Sequence, residues 1–374
     1  MGAEGMAFVV LEFGEKDTSC GFAGESRPRY VLSGNAGTKL PRMVHKQLPS
    51  WDRAKVPSAE DWAEILYDHI RHIYFERLIV QPQSRGIIVC DRPDTPDAFH
   101  EGLIEVLLTR LKVPAIVFAP LESTLLLTGL QSGLLIDVSF SETCVLPVFA
   151  RRPVLEALRY APLGVDDVTN HFIAECGEMA TSSRPSSCVS SSSQSSLSSS
   201  ALSSSMLPLS SLDVLQKDVN NISQDEVAAL FDLVAAGQSN RSCDSDVSIV
   251  HLALDSLVAC PLDARKIVAG NICICGEGAV LPGLAERLVM ELNAPSDTSG
   301  GKTKGPCTGW SEKHKQLQSA LQGSFALSTI DLPLAHRRWA GASLLGCLPW
   351  SLLKGMAGTL LPPAMGGQAP DSWS

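Results

Sequence analysis

The residues best placed to do chemistry lie in Ile272–Gly283, ICICGEGAVLPG, where a β-rich apolar run ends in a glycine-containing turn. Asp255–Lys266, DSLVACPLDARK, reads as a helix just before it, and Leu284, Leu288 and Leu292 mark a helix just after. A strand, a glycine turn and a helix in that order bring backbone N–H groups and a helix N-terminus close to a nucleotide. Gly276 and Gly278 would allow that approach. Glu277 between them puts a carboxylate where a turn facing phosphate or purine favours another glycine. The stretch reads as a nucleotide cleft whose chemistry has lapsed. The same glycines, with Gly283, also suit plain structural turns, and spacing alone does not choose between the two.

Other chemistries find no support. No Gly-x-Ser-x-Gly elbow, HExxH pair, Walker loop or kinase motif set occurs. His69 and His72 lie three apart in a helical pattern near Trp62, which reads as a packed helix face, because no further ligands accompany them. The eleven cysteines include no CxxC pair, and several fall in apolar runs. They read as reduced, buried thiols of a cytosolic or nuclear protein, with neither a disulfide framework nor a zinc site. A net charge of −10 argues against a nucleic-acid-coating surface. Neither a signal peptide nor an apolar run long enough to span a membrane is expected.

The elements that would position such a turn are legible in outline. Met6–Leu11 and Cys20–Gly24 read as a hairpin, and residues 33–57 as loop. Trp62, Ile65, Leu66, Ile70 and Ile73 recur at helical spacing, with Ser58 as N-cap. Strands are expected at Gly86–Cys90 and Ala115–Phe118, and helices at Ala98–Leu111 and Glu122–Leu130. Leu134–Asp137 and Thr143–Phe149 make a second hairpin that echoes the first, so the reading is a duplicated α/β domain around a cleft. Helical patterns return at Glu226–Val234 and Val247–Val258, and the last helix is Trp339–Leu348. Eighteen of the thirty residues in Ser182–Ser211 are serine, which predicts a disordered insertion.

Five collinear motifs resemble the actin family: CGFAG at 20–24, the strand and turn at Leu134–Asp137, CPLDARK at 260–266, the Gly276–Gly283 turn ending in LPG, and WAGASLL at 339–345. The resemblance spans roughly residues 6–348. It implies the fold shared by actin, heat-shock-protein and sugar-kinase ATPases, with duplicated α/β domains around a central cleft. A first half would cover 1–132, with a shortened subdomain 2 around 33–57. A second half would cover 133–348, interrupted by the serine-rich insertion at 180–212 and a polar loop at 294–323. Residues 349–374 would form a tail.

The resemblance also places a degenerate nucleotide site. The family's first phosphate loop, Asp-Asn-Gly-Ser-Gly, falls on Glu12, Phe13, Gly14, Glu15 and Lys16. Glu12 would hold magnesium waters or stand as a solvated turn carboxylate. Gly14 keeps the turn, Glu15 replaces the phosphate-binding serine, and Lys16 partly compensates for the family lysine, whose position is Ser19. The second loop, Asp-Ser-Gly-Asp-Gly, falls on Asp137, Val138, Ser139, Phe140 and Ser141, where both glycines are gone. Asp137 would be a metal-shell ligand or a local turn residue. The family's water-positioning histidine corresponds to Cys144 and its glutamine to Pro120. Asn220 and Asn221 are weak candidates for adenosine contacts. With Gly276 and Gly278 these residues imply a cleft in which hydrolysis is dead. No catalytic or metal-ligating residue is expected, and ATP or ADP with Mg²⁺ would be at most a structural ligand.

The partners implied are the actin-related filament subunit and the other pointed-end subunits of dynactin, in a hetero-oligomer of the cytoplasmic cytoskeleton, without nucleic acid or direct membrane insertion. A nuclear actin-related subunit of a chromatin-remodelling complex and a weak actin-type ATPase are the alternatives.

Overall fold

The structure, a computed structural model, describes residues 6–33, 57–166, 168, 248–294, 311–330, 332–354 and 359–361. The serine-rich insertion, all of the loop expected at 33–57 except its two end residues, the helix expected at Glu226–Val234, Asn220 and Asn221 lie outside them.

Two sheets carry the described residues. In the first, β1 (Phe8–Phe13) pairs antiparallel with β2 (Asp17–Phe22), and β2 with β3 (Tyr30–Ser33). On its other side β1 pairs parallel with β4 (Gly86–Cys90), and β4 with β5 (Ile116–Ala119). The second sheet repeats this plan. Here β6 (Gly133–Val138) pairs antiparallel with β7 (Thr143–Phe149) and parallel with β10 (Ile272–Cys275). The short strands β8 (Arg152–Pro153) and β9 (Arg159–Ala161) both extend β7. A lone parallel bridge from Ile272 to Leu327 stands where β5 stands in the first sheet. The two hairpins expected from the sequence are therefore the matching cores of a duplicated α/β fold.

Alternation along the strands divides the core. Val9 and Leu11 face α1 (Ala59–His72) and α2 (Asp97–Ile104), whereas Phe8 and Val10 face the other way. With both faces covered, β1 is buried along its whole length and reads as a continuous apolar run. The second sheet buries Leu134, Ile136 and Val138 under α3 (Ile249–Ala259), α4 (Leu262–Ala269) and α5 (Leu284–Asn293).

Several helices differ from their expected form. Asp255–Lys266 is broken between α3 and α4 at Cys260–Pro261, because proline disfavours a helical residue before it. Glu122–Leu130 is a 3₁₀ helix, Leu121–Thr128, closed by Gly129 at φ 69°. The amphipathic stretch at Ala98–Leu111 splits into α2 and a π-helical segment, Glu105–Arg110. The polar loop drawn over 294–323 contains α6 (Glu312–Leu321). The tail begins, after α7 (Arg337–Leu345), with α8 (Trp350–Leu353), and its β11 (Thr359–Leu360) joins the edge of the first sheet beside β5.

The halves exchange helices. The 3₁₀ helix from the first half lies on the second sheet, Leu121 and Leu125 packing with Leu135, Cys144 and Cys273. From the second half, α7 lies on the first sheet, Trp339, Ala342 and Leu345 packing with Phe8, Val10 and Ile88. This exchange carries the first turn of α7 to the floor of the cleft.

Candidate functional site: a cleft lined by opposed hairpin loops

The β1–β2 and β6–β7 turns face each other across the halves, and the turn after β10 closes the side. All six residues expected from the sequence, Glu12, Gly14, Lys16, Asp137, Gly276 and Gly278, converge here.

Glu12 at the end of β1 is buried, 7% exposed, which excludes the solvated-carboxylate alternative. Its Oε1 accepts from Arg338 Nε at 2.6 Å. Asp137 near the end of β6 has no exposed surface, and its Oδ2 accepts from Arg338 Nη1 at 2.9 Å. One guanidinium from α7 thus joins the two carboxylates that the resemblance assigns to the metal's water shell. Arg92, just past β4, approaches the same Asp137 oxygen at 3.6 Å, reaches Glu142 at 2.8 Å and Asp94 at 3.5 Å, and donates to Ser139 Oγ at 3.0 Å. Removing one partner from such buried pairs is costly, since it strands a charge away from water.

The loops also grip each other. Glu15 Oε1 accepts from the Ser141 backbone N–H at 3.0 Å and from Ser141 Oγ at 2.8 Å. Lys16 Nζ meets Asp166 Oδ1 at 2.6 Å and sits 4.1 Å from the centre of the Phe140 ring. In the second loop, Val138 and Phe140 send buried side chains into the core of the second half.

The glycines are needed for packing. A Cβ on Gly14 would lie 2.6 Å from Glu277 Oε1. Gly276, at φ 87°, has Asp137 Oδ1 where its Cβ would press, and the corresponding space beside Gly278 is filled by Val138. Between the loops, beside Phe13, Gly14, Arg92, Ser139, Glu277 and Arg338, a cavity of about 20 Å³ remains, roughly the room one water molecule requires.

Burial dominates the electrostatics. It pushes the Glu277 carboxyl up to about 7, against the opposing pull of Arg338. Burial also raises the thiols of Cys144, which stands in the place of the family histidine, and Cys275, whose Sγ lies 3.8 Å from Asp137 Oδ1. Neither is poised as a nucleophile. Five carboxylates, Glu12, Asp94, Asp137, Glu142 and Glu277, surround two guanidiniums here. That balance disfavours a polyphosphate. Side chains that would coordinate Mg²⁺ waters are engaged by arginine, so the cleft does not fit a magnesium nucleotide without rearrangement. Among the described residues no cluster of His, Cys, Asp and Glu is arranged to hold a metal, and no helix is long and apolar enough to cross a membrane.

Arg338 and Arg92 escape sequence reasoning. The signal for Arg338 was present: two arginines open RRWAGASLL, a helix otherwise small and apolar. A buried arginine demands partners, yet nothing local names them.

Two sheets with a repeated strand order, exchanged helices and opposed hairpin loops define an actin-like α/β protein. Residues 3–228 match the family described as Actin, which is more than half of the chain, and the chain belongs to the actin family. It is 25% identical over 349 residues to actin-related protein 10 of Dictyostelium discoideum, covering 76% of this chain and 73% of that protein. It is 22% identical over 333 residues to actin-like protein 7B of Rattus norvegicus, covering 78% of this chain and 76% of that protein. Actin-like protein 7A of the same animal is 22% identical over 325 residues, covering 78% and 72%.

Proposed function

We propose that the chain is a non-catalytic structural subunit of a multi-subunit actin-related assembly. It caps the pointed end of the short actin-related filament of dynactin, joins the other pointed-end subunits there, and supports dynein-driven transport along microtubules in the cytoplasm. One interface accepts the last filament protomer, and the opposite end, where the resemblance puts the shortened 33–57 region and the serine-rich insertion, accepts no further one, so growth stops by sterics.

The observation that carries the non-catalytic part is the second loop. Its two glycine positions hold Ser139 and Ser141, and the Phe140 side chain between them is buried, so the backbone loses the freedom to wrap a phosphate. The likeness to actin-related protein 10 supports the choice within the family. Neither nucleotide nor metal is required for the proposed role.

Affinity purification of the tagged full chain from its own cells, followed by mass spectrometry, tests the reading. Recovery of the actin-related filament protein with the large dynactin arm is the expected result. Recovery of helicase-type remodelling subunits would replace it with a nuclear role. Recovery of neither set would overturn the assembly reading.

A further inference from the structure

We propose that this cleft is held shut by built-in substitutes for the ligand that its relatives' loops would hold: the Arg338 guanidinium for the cation and the Glu15 carboxylate for a phosphate. The inference rests on the non-catalytic reading and gives it a mechanism.

A hairpin-loop N–H with a neighbouring hydroxyl is an oxyanion grip. At Ser141 both groups close on an oxyanion from the opposite loop, Glu15 Oε1, at 3.0 and 2.8 Å. Two carboxylates from different halves facing each other at the floor of a cleft repel unless a cation lies between them. Arg338 supplies it, bonded to Glu12 and Asp137 at 2.6 and 2.9 Å. A guanidinium suits the task because it stays charged and offers several donors in one plane. The Lys16–Asp166 pair at 2.6 Å adds a third tie across the halves.

Charge and volume agree with the geometry. The ties bridge the two phosphate-loop positions directly, and the cavity of about 20 Å³ beside them has roughly the room of one water molecule. Arg338 is placed by α7, whose Trp339 is fully buried on the first sheet and donates to the Val10 carbonyl at 3.3 Å. The substitute cation is therefore part of the core, unlike a ligand that exchanges with solution. The two halves keep one relative orientation whatever the nucleotide supply, which suits a permanent cap.

The test uses the full chain. Nucleotide released by acid from the purified wild type is quantified, melting is followed with and without millimolar ATP and Mg²⁺, and amide exchange is read at residues 13–16 and 138–142. The expected results are no released nucleotide and no stabilisation by ATP. In Arg338→Met and Glu15→Ser, exchange in both loops should rise about tenfold. If Arg338→Met does not fold, Glu15→Ser decides alone, because Glu15 is only partly buried and outside the core. Stoichiometric nucleotide in the wild type, stabilisation by ATP, or unchanged loop exchange in the folded variants would overturn the proposal. None of these outcomes alters the set of copurifying partners, so the clamp and the capping role fail separately.

Discussion

Gly341 in α7 stacks directly on the backbone of Ser123, whose carbonyl oxygen lies 2.8 Å from where a Cβ on Gly341 would be. This contact joins the two exchanged helices and so joins the halves. Gly341→Val should destabilise the fold by about 2–3 kcal/mol through overpacking at a backbone that cannot retreat. Urea denaturation would show this as a lower midpoint, with Gly341→Ala falling between variant and wild type.

Gly276 poses a backbone constraint as well as a steric one. Its φ of 87° is strained for any side chain, and a Cβ would press on Asp137. Gly276→Ala is expected to cost about 2–3 kcal/mol, read by thermal unfolding. A substitution at Gly129 (φ 69°), where nothing lies within 4 Å of the added Cβ, should cost only the conformational part, about 1 kcal/mol.

At the start of α1, Ser58 accepts from the Asp61 backbone N–H at 3.2 Å, and Asp61 returns a bond to the Ser58 backbone N–H at 3.0 Å. Ser58→Ala should lower stability by about 1 kcal/mol. Asp61→Asn should lose less, since its amide oxygen still accepts, and chemical denaturation of the two variants checks the order.

His69 is buried against Thr18, 2.9 Å from its hydroxyl. Burial, with His72 adding to it, lowers its pKa from 6.5 to about 4. The unfolded chain therefore takes up a proton that the folded one refuses. Stability present above pH 6.5 is lost as pH falls towards about 4, by up to about 3 kcal/mol. His69→Gln should remove this acid-side slope in a stability-versus-pH series.

Glu277 has the opposite sign. Its folded pKa is raised from 4.5 to about 7, so the folded chain holds a proton that the unfolded one releases. Its contribution is fully present below pH 4.5 and is lost as pH rises through about 7, on the order of 3 kcal/mol. Glu277→Gln should flatten that loss, leaving the opposed contributions of His69 and of Asp17, whose carboxyl is pushed up to about 6 by burial. A variant that changes in stability between pH 5 and pH 7 as the wild type does would contradict this assignment.

Local pattern carried much of the architecture. The strand Gly86–Cys90, both hairpins and the Ser58 cap were legible because alternation, apolar runs and capping chemistry act within a few residues. The turn at Gly276–Gly283 and the five collinear motifs were enough to expect the actin fold, and Glu277 already marked the cleft as altered. Helix type was less legible: Leu121–Thr128 has the apolar content of an α-helix, yet it is a 3₁₀ helix packed on the second sheet. The same holds for β11, whose two residues form a strand only because the edge of β5 is there to pair with.

What the sequence by itself determined is the pair of hairpins that marks the duplicated fold and the loss of the phosphate-binding glycines, all properties of residues close along the chain. Only the tertiary structure decided what replaced them. Arg338 meets Glu12 across 326 positions, Glu15 meets Ser141 across 126, and Lys16 meets Asp166 across 150. Charge pairing leaves no periodic trace in sequence. A buried guanidinium shows that it needs carboxylates, but the exchange of helices between the halves selects which ones.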